Sequence, residues 1–60
     1  MEGNFVADIN GHRILSNIAH TGEVLYSLWR KSGKEWRCFF ETTNLTEAFN
    51  ECYQVSPKNN

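Results

Sequence analysis

The side chains best suited to metal binding or catalysis in this chain are two cysteines and two histidines: Cys38, Cys52, His12 and His20. A structural zinc site needs four ligands, which usually come in closely spaced pairs. Neither the cysteines nor the histidines have that spacing, so we predict no metal site. Both cysteines are interpreted as small buried hydrophobic residues. A disulfide between Cys38 and Cys52 stays open, because the strand and the helix that hold them could face each other.

Catalysis would need a nucleophile beside a base, or a loop that binds phosphate. The sequence contains no nucleophile elbow, P-loop or dinucleotide-binding motif. His20 is expected at the surface of a loop, and His12 is expected to be half-exposed beside a turn. We therefore predict no catalytic residue, no cofactor and no enzyme activity in the monomer. An enzyme whose site forms across a dimer interface is the remaining enzymatic alternative.

The size and charge of the chain restrict its architecture. It has 60 residues, 13% of them aromatic, and a net charge of −1. We predict one domain over residues 1–60, with flexible ends at 1–4 and 57–60. The first residues lack the charged and apolar regions of a signal peptide, so a cytoplasmic location is expected. A chain this short buries only about 60% of its unfolded surface, and dimerisation would stabilise it.

Asn10-Gly11 predicts a first hairpin, because both residues tolerate the positive φ of a type I′ turn between two apolar-rich segments. The turn also sets the register of the two strands that flank it. The predicted pairs are Phe5 with Ser16, Val6 with Leu15, Ala7 with Ile14, Asp8 with Arg13 and Ile9 with His12.

A second hairpin is predicted over residues 23–41, with a turn centred on Ser32-Gly33. In this register Trp29 faces Trp36, Tyr26 faces Phe39 and Arg30 faces Glu35, and such cross-strand pairs stabilise a sheet. One face would then hold Leu25, Ser27, Trp29, Trp36, Cys38 and Phe40, and the other Val24, Tyr26, Leu28, Arg37, Phe39 and Glu41.

A helix is predicted to begin after Asn44, a suitable N-cap, with Glu47 in the position of a capping-box acid. Its buried stripe would comprise Leu45, Ala48, Phe49 and Cys52, extended by Val55, and Pro57 would end it. The expected fold is α+β: a small antiparallel β-meander of three to four strands in the order β-β-β-β-α. The C-terminal helix packs on one face of the sheet.

One helix can cover only one face, yet both faces carry large apolar side chains. A helix on the Trp29–Trp36–Phe40 face would expose the other face, whereas the opposite placement would expose the two tryptophans. Exposed apolar patches mark partner surfaces, and aromatic residues with arginine are typical of interface cores. We therefore predict a small regulator or inhibitor of the kind that bacteria and phages encode, and the small size of the chain predicts a homodimer. The residues predicted to bind a protein partner are Val24, Tyr26, Leu28, Phe39 and Arg37.

The alternative function is nucleic-acid binding by the second hairpin. A basic cluster surrounds its turn and consists of Arg30, Lys31, Lys34 and Arg37, with the two tryptophans nearby. Cations beside aromatic rings can bind phosphates and stack bases. Glu35 and Glu41 interrupt the cluster, and for that reason the alternative ranks second to protein binding.

Overall fold

The computed structural model describes residues 2–54 and shows four strands followed by one helix. The elements are β1 (Asn4–Ile9), β2 (His12–Ile18), β3 (Val24–Ser32), β4 (Glu35–Thr42) and α1 (Leu45–Gln54). The strands form one antiparallel sheet in the order β1-β2-β3-β4, and α1 packs against it. The predicted meander with a C-terminal helix is confirmed. The predictions for Val55, Pro57 and residues 57–60 lie outside the described residues.

The first hairpin has the predicted turn and most of the predicted register. Asn10 and Gly11 both have positive φ, at 54° and 80°. The pairs between residues 7–9 and residues 12–14 are confirmed. A bulge at Val6 then shifts the register, so Phe5 lies opposite Leu15 rather than Ser16. Because one added residue reverses the alternation of side chains, Phe5 and Val6 exchange faces relative to the prediction.

The N-terminal residues that were expected to be loose are fixed against β2 from Glu2 onward. Asn4 pairs with Ser16, and the Asn17 side-chain amide donates a hydrogen bond to the Glu2 carbonyl at 3.2 Å. Gly3 makes this approach possible. It has φ 133°, and a Cβ atom there would lie only 2.8 Å from Asn17 Nδ2.

The second hairpin turns one residue later than predicted. Its turn residues are Gly33 and Lys34, and Ser32 pairs with Glu35. Gly33 has φ 65°, which suits the first central position of a type II′ turn. The Trp–Trp, Tyr–Phe and Arg–Glu pairs predicted for this hairpin are therefore wrong. The pairs observed near the turn are Arg30 with Arg37 and Lys31 with Trp36.

A second bulge lies in β4 at Phe39. Beyond it, Trp29 is opposite Cys38 while Leu28 is opposite Phe40. Phe40 therefore lies on the Leu28 face and Glu41, opposite Ser27, lies on the Trp29 face, the reverse of the prediction for both. The other face assignments in this hairpin survive, because the shift near the turn is an even number of residues.

The core lies between α1 and the face of the sheet that carries Ile14 and Leu28. These two side chains are fully buried together with Ala48 and Cys52 of the helix. The partly buried residues around them include the two bulge residues, Val6 and Phe39. Each bulge thus adds one apolar side chain to the helix-covered face. The predicted helix stripe is confirmed within the described residues.

The start of α1 is capped by two side chains. Asn44 Oδ1 accepts a hydrogen bond from the Glu47 backbone N–H at 3.1 Å, as predicted for the N-cap. Thr42 Oγ1 accepts from the Asn44 backbone N–H at 3.0 Å and donates to Glu47 Oε1. Thr42, the last residue of β4, therefore binds the Glu47 carboxylate. This contact joins the sheet to the first turn of the helix.

The end of α1 is joined to the first hairpin by Asn10. Its side-chain amide donates a hydrogen bond to the Cys52 carbonyl at 3.0 Å. This carbonyl is near the helix C-terminus, where carbonyl groups lack intrahelical partners. One residue thus provides a positive-φ turn position and a donor that fixes the helix against the sheet.

We expect Asn10→Asp to lower the free energy of unfolding by about 1–2 kcal/mol, because it removes the donor and places a carboxylate at the negative end of the helix dipole. The control is Asn10→Gly, which keeps the positive φ, loses only the hydrogen bond and should cost about 1 kcal/mol. Urea denaturation followed by tryptophan fluorescence measures both. Equal stability of Asn10→Asp and wild type would show that the bond to Cys52 contributes nothing.

Candidate functional site

The five residues predicted to bind a partner do share a face, but α1 covers that face. Leu28 is 0% exposed, so its prediction as a partner-binding residue is wrong. Tyr26 and Phe39 are half-buried against the core. Val24 and Arg37 are exposed and lie toward the two ends of the hairpin. The physical reason is that the helix stripe packs on the Ile14–Leu28 face rather than on the tryptophan face.

The opposite face of the sheet is the open face, since no helix or strand of residues 2–54 packs on it. The strand pairing places on it Trp29 with its neighbours Arg13 and Cys38, and Trp36 with Lys31. Leu25 and Phe5 also lie on this face, and Phe5 is 63% exposed. This is the arrangement in which the helix leaves the tryptophans uncovered.

Arg13 organises the open face. Its Nε and Nη2 atoms donate to the two carboxylate oxygens of Asp8 at 2.8 and 3.0 Å. Its guanidinium carbon also lies 4.6 Å from the Trp36 ring centre and 5.7 Å from the Phe5 ring centre. The hydrogen bonds from Arg13 lower the pKa of Asp8 and raise the pKa of Arg13. Two hydrogen bonds to Asp8 therefore hold the Arg13 guanidinium over the Trp36 and Phe5 rings, and the Asp8–Arg13 pair carries no net charge.

Trp29 covers the centre of the open face. Its indole Nε1 donates to Ser27 Oγ at 2.8 Å, so the ring lies along β3 and its one polar atom is satisfied. Ser27 and Leu15 are each 5% exposed, although no helix within residues 2–54 packs over them. Side chains of the open face itself must bury them. The result is an ordered layer of aromatic and apolar groups rather than a loose set of side chains.

Phe5 and Arg13 were missed as site residues by sequence reasoning. Phe5 was placed on the other face because nothing in residues 4–9 signals the bulge at Val6. Arg13 was correctly paired with Asp8, but its contacts with the aromatic rings depend on the bulge and on the register of the second hairpin. The Asp8–Arg13 pair across the Asn-Gly turn is the signal that could have marked this corner of the sheet.

The two cysteines lie on opposite sides of the sheet. Cys38 is exposed on the open face, contrary to prediction, and Cys52 is buried in the core as predicted. Both are free thiols, so the disulfide left open by the sequence is not formed. Burial raises the pKa of Cys52, and the nearby charge of Glu51 adds to the effect.

We expect a thiol reagent to label Cys38 rapidly in the native, dilute protein and Cys52 more slowly, by a factor on the order of 10³ or more. Labelling of Cys52 requires unfolding, and its raised pKa reduces the reactive thiolate further. Mass spectrometry of timed samples measures both rates, with Cys38→Ser and Cys52→Ser assigning the signals. Similar rates at the two positions would contradict the buried placement of Cys52.

The two histidines occupy different environments. His12 is 8% exposed rather than half-exposed as expected, and its ring centre lies 5.2 Å from that of Phe39. Its Nδ1 atom is buried and has no hydrogen-bond partner among the described residues. His20 is exposed in the loop between β2 and β3, as expected. Over residues 2–54 no group of three metal-ligating side chains and no pocket is found.

The predicted basic cluster is divided between the two faces. Arg30 and Arg37 are directly opposite each other on the helix side, and the Arg30 guanidinium lies 5.2 Å from the Phe39 ring centre. Lys31 lies on the open face. Arg37 Nη2 is 3.6 Å from Glu35 Oε1, and both side chains are exposed. Like charges that face each other across strands are unfavourable unless an anion offsets them.

Two surfaces therefore have distinct chemistry. One is the open face, and the other is the hairpin tip, the end of the second hairpin that carries Arg30, Lys31, Lys34 and Arg37. The open face is apolar, aromatic and charge-balanced, whereas the tip is cationic and exposed. No helix in the described part of the chain is long and apolar enough to cross a membrane. No protein-family model matches this chain, and no match was found among the curated proteins or the solved structures.

Proposed function

We propose that this protein is a small non-enzymatic interaction module, a regulator or inhibitor that binds a protein partner through the open face. The observation that carries the proposal is an ordered aromatic sheet face that no helix or strand of residues 2–54 covers. Such surfaces are typical of protein–protein interfaces. We place the protein in the cytoplasm, where an exposed thiol such as Cys38 stays reduced.

The charges of the open face support a protein partner over a polyanion. The strand pairing puts two cations on this face, Arg13 and Lys31, and two anions, Asp8 and Glu41. Arg13 is also already bonded to Asp8. A nucleic acid would meet no surplus of positive charge here, whereas a mixed protein surface would meet no net repulsion.

The fixed conformations of side chains on the open face also favour binding. Arg13 is held by two hydrogen bonds, and Trp29 is held by its bond to Ser27. Side chains that are already fixed lose less conformational entropy when a partner binds. Trp, Tyr and Arg are also the residues that most often dominate binding energy. We therefore expect the contact energy to concentrate around Trp36, Arg13 and Phe5.

The test is affinity capture from the native host, with captured proteins identified by mass. The baits are wild type, Phe5→Lys on the open face and Tyr53→Lys on α1. Phe5 and Tyr53 are both 63% exposed, so the two substitutions are matched in type and accessibility. We expect Tyr53→Lys to keep the partner and Phe5→Lys to lose it. Retention of every captured protein by both variants would refute binding through the open face.

Nucleic-acid binding by the hairpin tip is the second candidate. It is favoured by the direct opposition of Arg30 and Arg37, close to Lys31 and Lys34. The test is titration of a labelled duplex and a labelled single strand at several salt concentrations. If this function is real, affinity falls steeply with salt and Arg37→Gln weakens it without loss of fold. No binding at low ionic strength would eliminate it.

A further inference from the structure

We infer that the partner that occupies the open face is a second copy of this chain, which stacks its own open face against it. The inference rests on the proposed function, because it names the partner of the same surface. Two sheets that pack face to face lie about 10 Å apart, with the side chains of the inner faces forming a common core. Here the two aromatic layers would form that core.

The dimensions of the protein suit such a dimer. The chain measures 37 × 25 × 15 Å, so its sheet presents a broad side and a thin edge. A rectangle with the two longer dimensions covers about 900 Å², compared with roughly 800 Å² per partner in a standard-size interface. This rectangle is an upper limit on the projected area of the open face, so a standard-size interface would use most of that face.

The charges of the open face suit a copy of itself. A two-fold dimer brings the same patch from both chains together, so a patch with net charge would repel its copy. This face carries two cations and two anions, of which Arg13 and Asp8 are paired within the chain. The exposed Lys31 and Glu41 lie on different strands, β3 and β4, near opposite ends of the hairpin. Two copies therefore meet as neutral surfaces.

The small core of the monomer gives dimerisation an energetic role. Only five hydrophobic residues in the described part of the chain are buried: Ile14, Leu15, Leu28, Ala48 and Cys52. Chains of this size often need an additional source of stability, such as association. Closure of the open face would bury Phe5, Trp29 and Trp36 and provide a second core, with no disulfide needed.

Sedimentation equilibrium of the full chain tests the inference over concentrations from about 1 µM to about 1 mM, the range of modest interface affinities. Wild type is expected to reach twice the 7.0 kDa of one chain. Phe5→Lys should raise the dissociation constant at least tenfold, whereas Tyr53→Lys should leave it unchanged. Cys38→Lys, at an exposed open-face position, is a second variant with little risk to the fold. Amide NMR spectra show whether each variant is folded.

A wild-type monomer at about 1 mM would overturn the inference. So would a dimer that both Phe5→Lys and Cys38→Lys leave unchanged, because it would use another surface. The failures are separable. If wild type is monomeric but Phe5→Lys abolishes capture of a host protein, self-association is wrong and the proposed function stands. If the dimer depends on Phe5 but no captured protein other than this chain does, the open face serves self-association and the part of the proposed function that concerns other proteins is wrong.

Discussion

Leu28→Ala is expected to remove a large part of the free energy of unfolding of this protein. Leu28 is fully buried between Ile14 and the helix residues Ala48 and Cys52. Truncation of a buried leucine to alanine costs about 2–5 kcal/mol. A chain of this length has a total stability of only about 3–9 kcal/mol. Circular dichroism and urea denaturation measure the loss directly.

The matched control for Leu28→Ala is Leu25→Ala, the same change on the other face of β3. Leu25 is half-buried on the open face, so its truncation should cost only about 1 kcal/mol in the monomer. The comparison tests which face the helix covers, since the opposite placement would reverse the order of the two effects. A larger loss for Leu25→Ala than for Leu28→Ala would contradict the packing described here.

Thr42→Val is expected to lower the free energy of unfolding by about 1–3 kcal/mol, although valine has nearly the same shape as threonine. The Thr42 hydroxyl accepts a hydrogen bond from the Asn44 N–H and donates one to the Glu47 carboxylate. Thr42 is 9% exposed, so water is poorly placed to replace these bonds. Both bonds lie where β4 becomes α1, and their loss should loosen the first turn of the helix.

Thr42→Ser is the control for this prediction. It keeps the hydroxyl and loses one methyl group, so it should recover most of the stability that Thr42→Val loses. Thermal and urea denaturation give the free energies, and amide hydrogen exchange shows whether residues 45–48 lose protection first. If valine is tolerated as well as serine, the hydroxyl bridge is not what fixes the helix start.

The fold was predictable because its main signals are local. The Asn10-Gly11 turn, the Asn44 cap and the apolar spacing of α1 each depend on a few neighbouring residues with strong conformational preferences. Element order then follows from chain connectivity. The faces of the second hairpin were also mostly correct, since strand alternation is insensitive to an even shift in register.

The two bulges were not predictable from residue types alone. A bulge forms where the chain gains more by placing an extra side chain in the core than it loses in strand pairing. That balance depends on the space beneath α1, which Val6 and Phe39 fill. The turn error has a clearer origin. Gly33 takes the first central position of the turn, and the sequence was interpreted with glycine in the second.

The sequence left open which face of the sheet the helix covers, and the residues predicted to bind a partner lie on the covered face. Both faces of the sheet are apolar enough to receive a helix, so pattern alone does not decide between them. On the covered face, Ile14 and Leu28 present compact aliphatic groups against Ala48 and Cys52. The tryptophans instead lie on the other side of the sheet, where the Trp29 indole donates a hydrogen bond to Ser27 and the Trp36 ring lies against the Arg13 guanidinium.

The bulges at Val6 and Phe39 also lie where a bulge opposes edge-to-edge pairing between molecules. They lie in β1 and β4, the two edge strands, whose free N–H and C=O groups would otherwise be templates for strands of other copies. A bulge interrupts that row of groups and twists the edge. Growth of the sheet from molecule to molecule, the route to fibrils, is thereby disfavoured at both ends. Concentrated protein should accordingly remain as closed, countable assemblies rather than polymers.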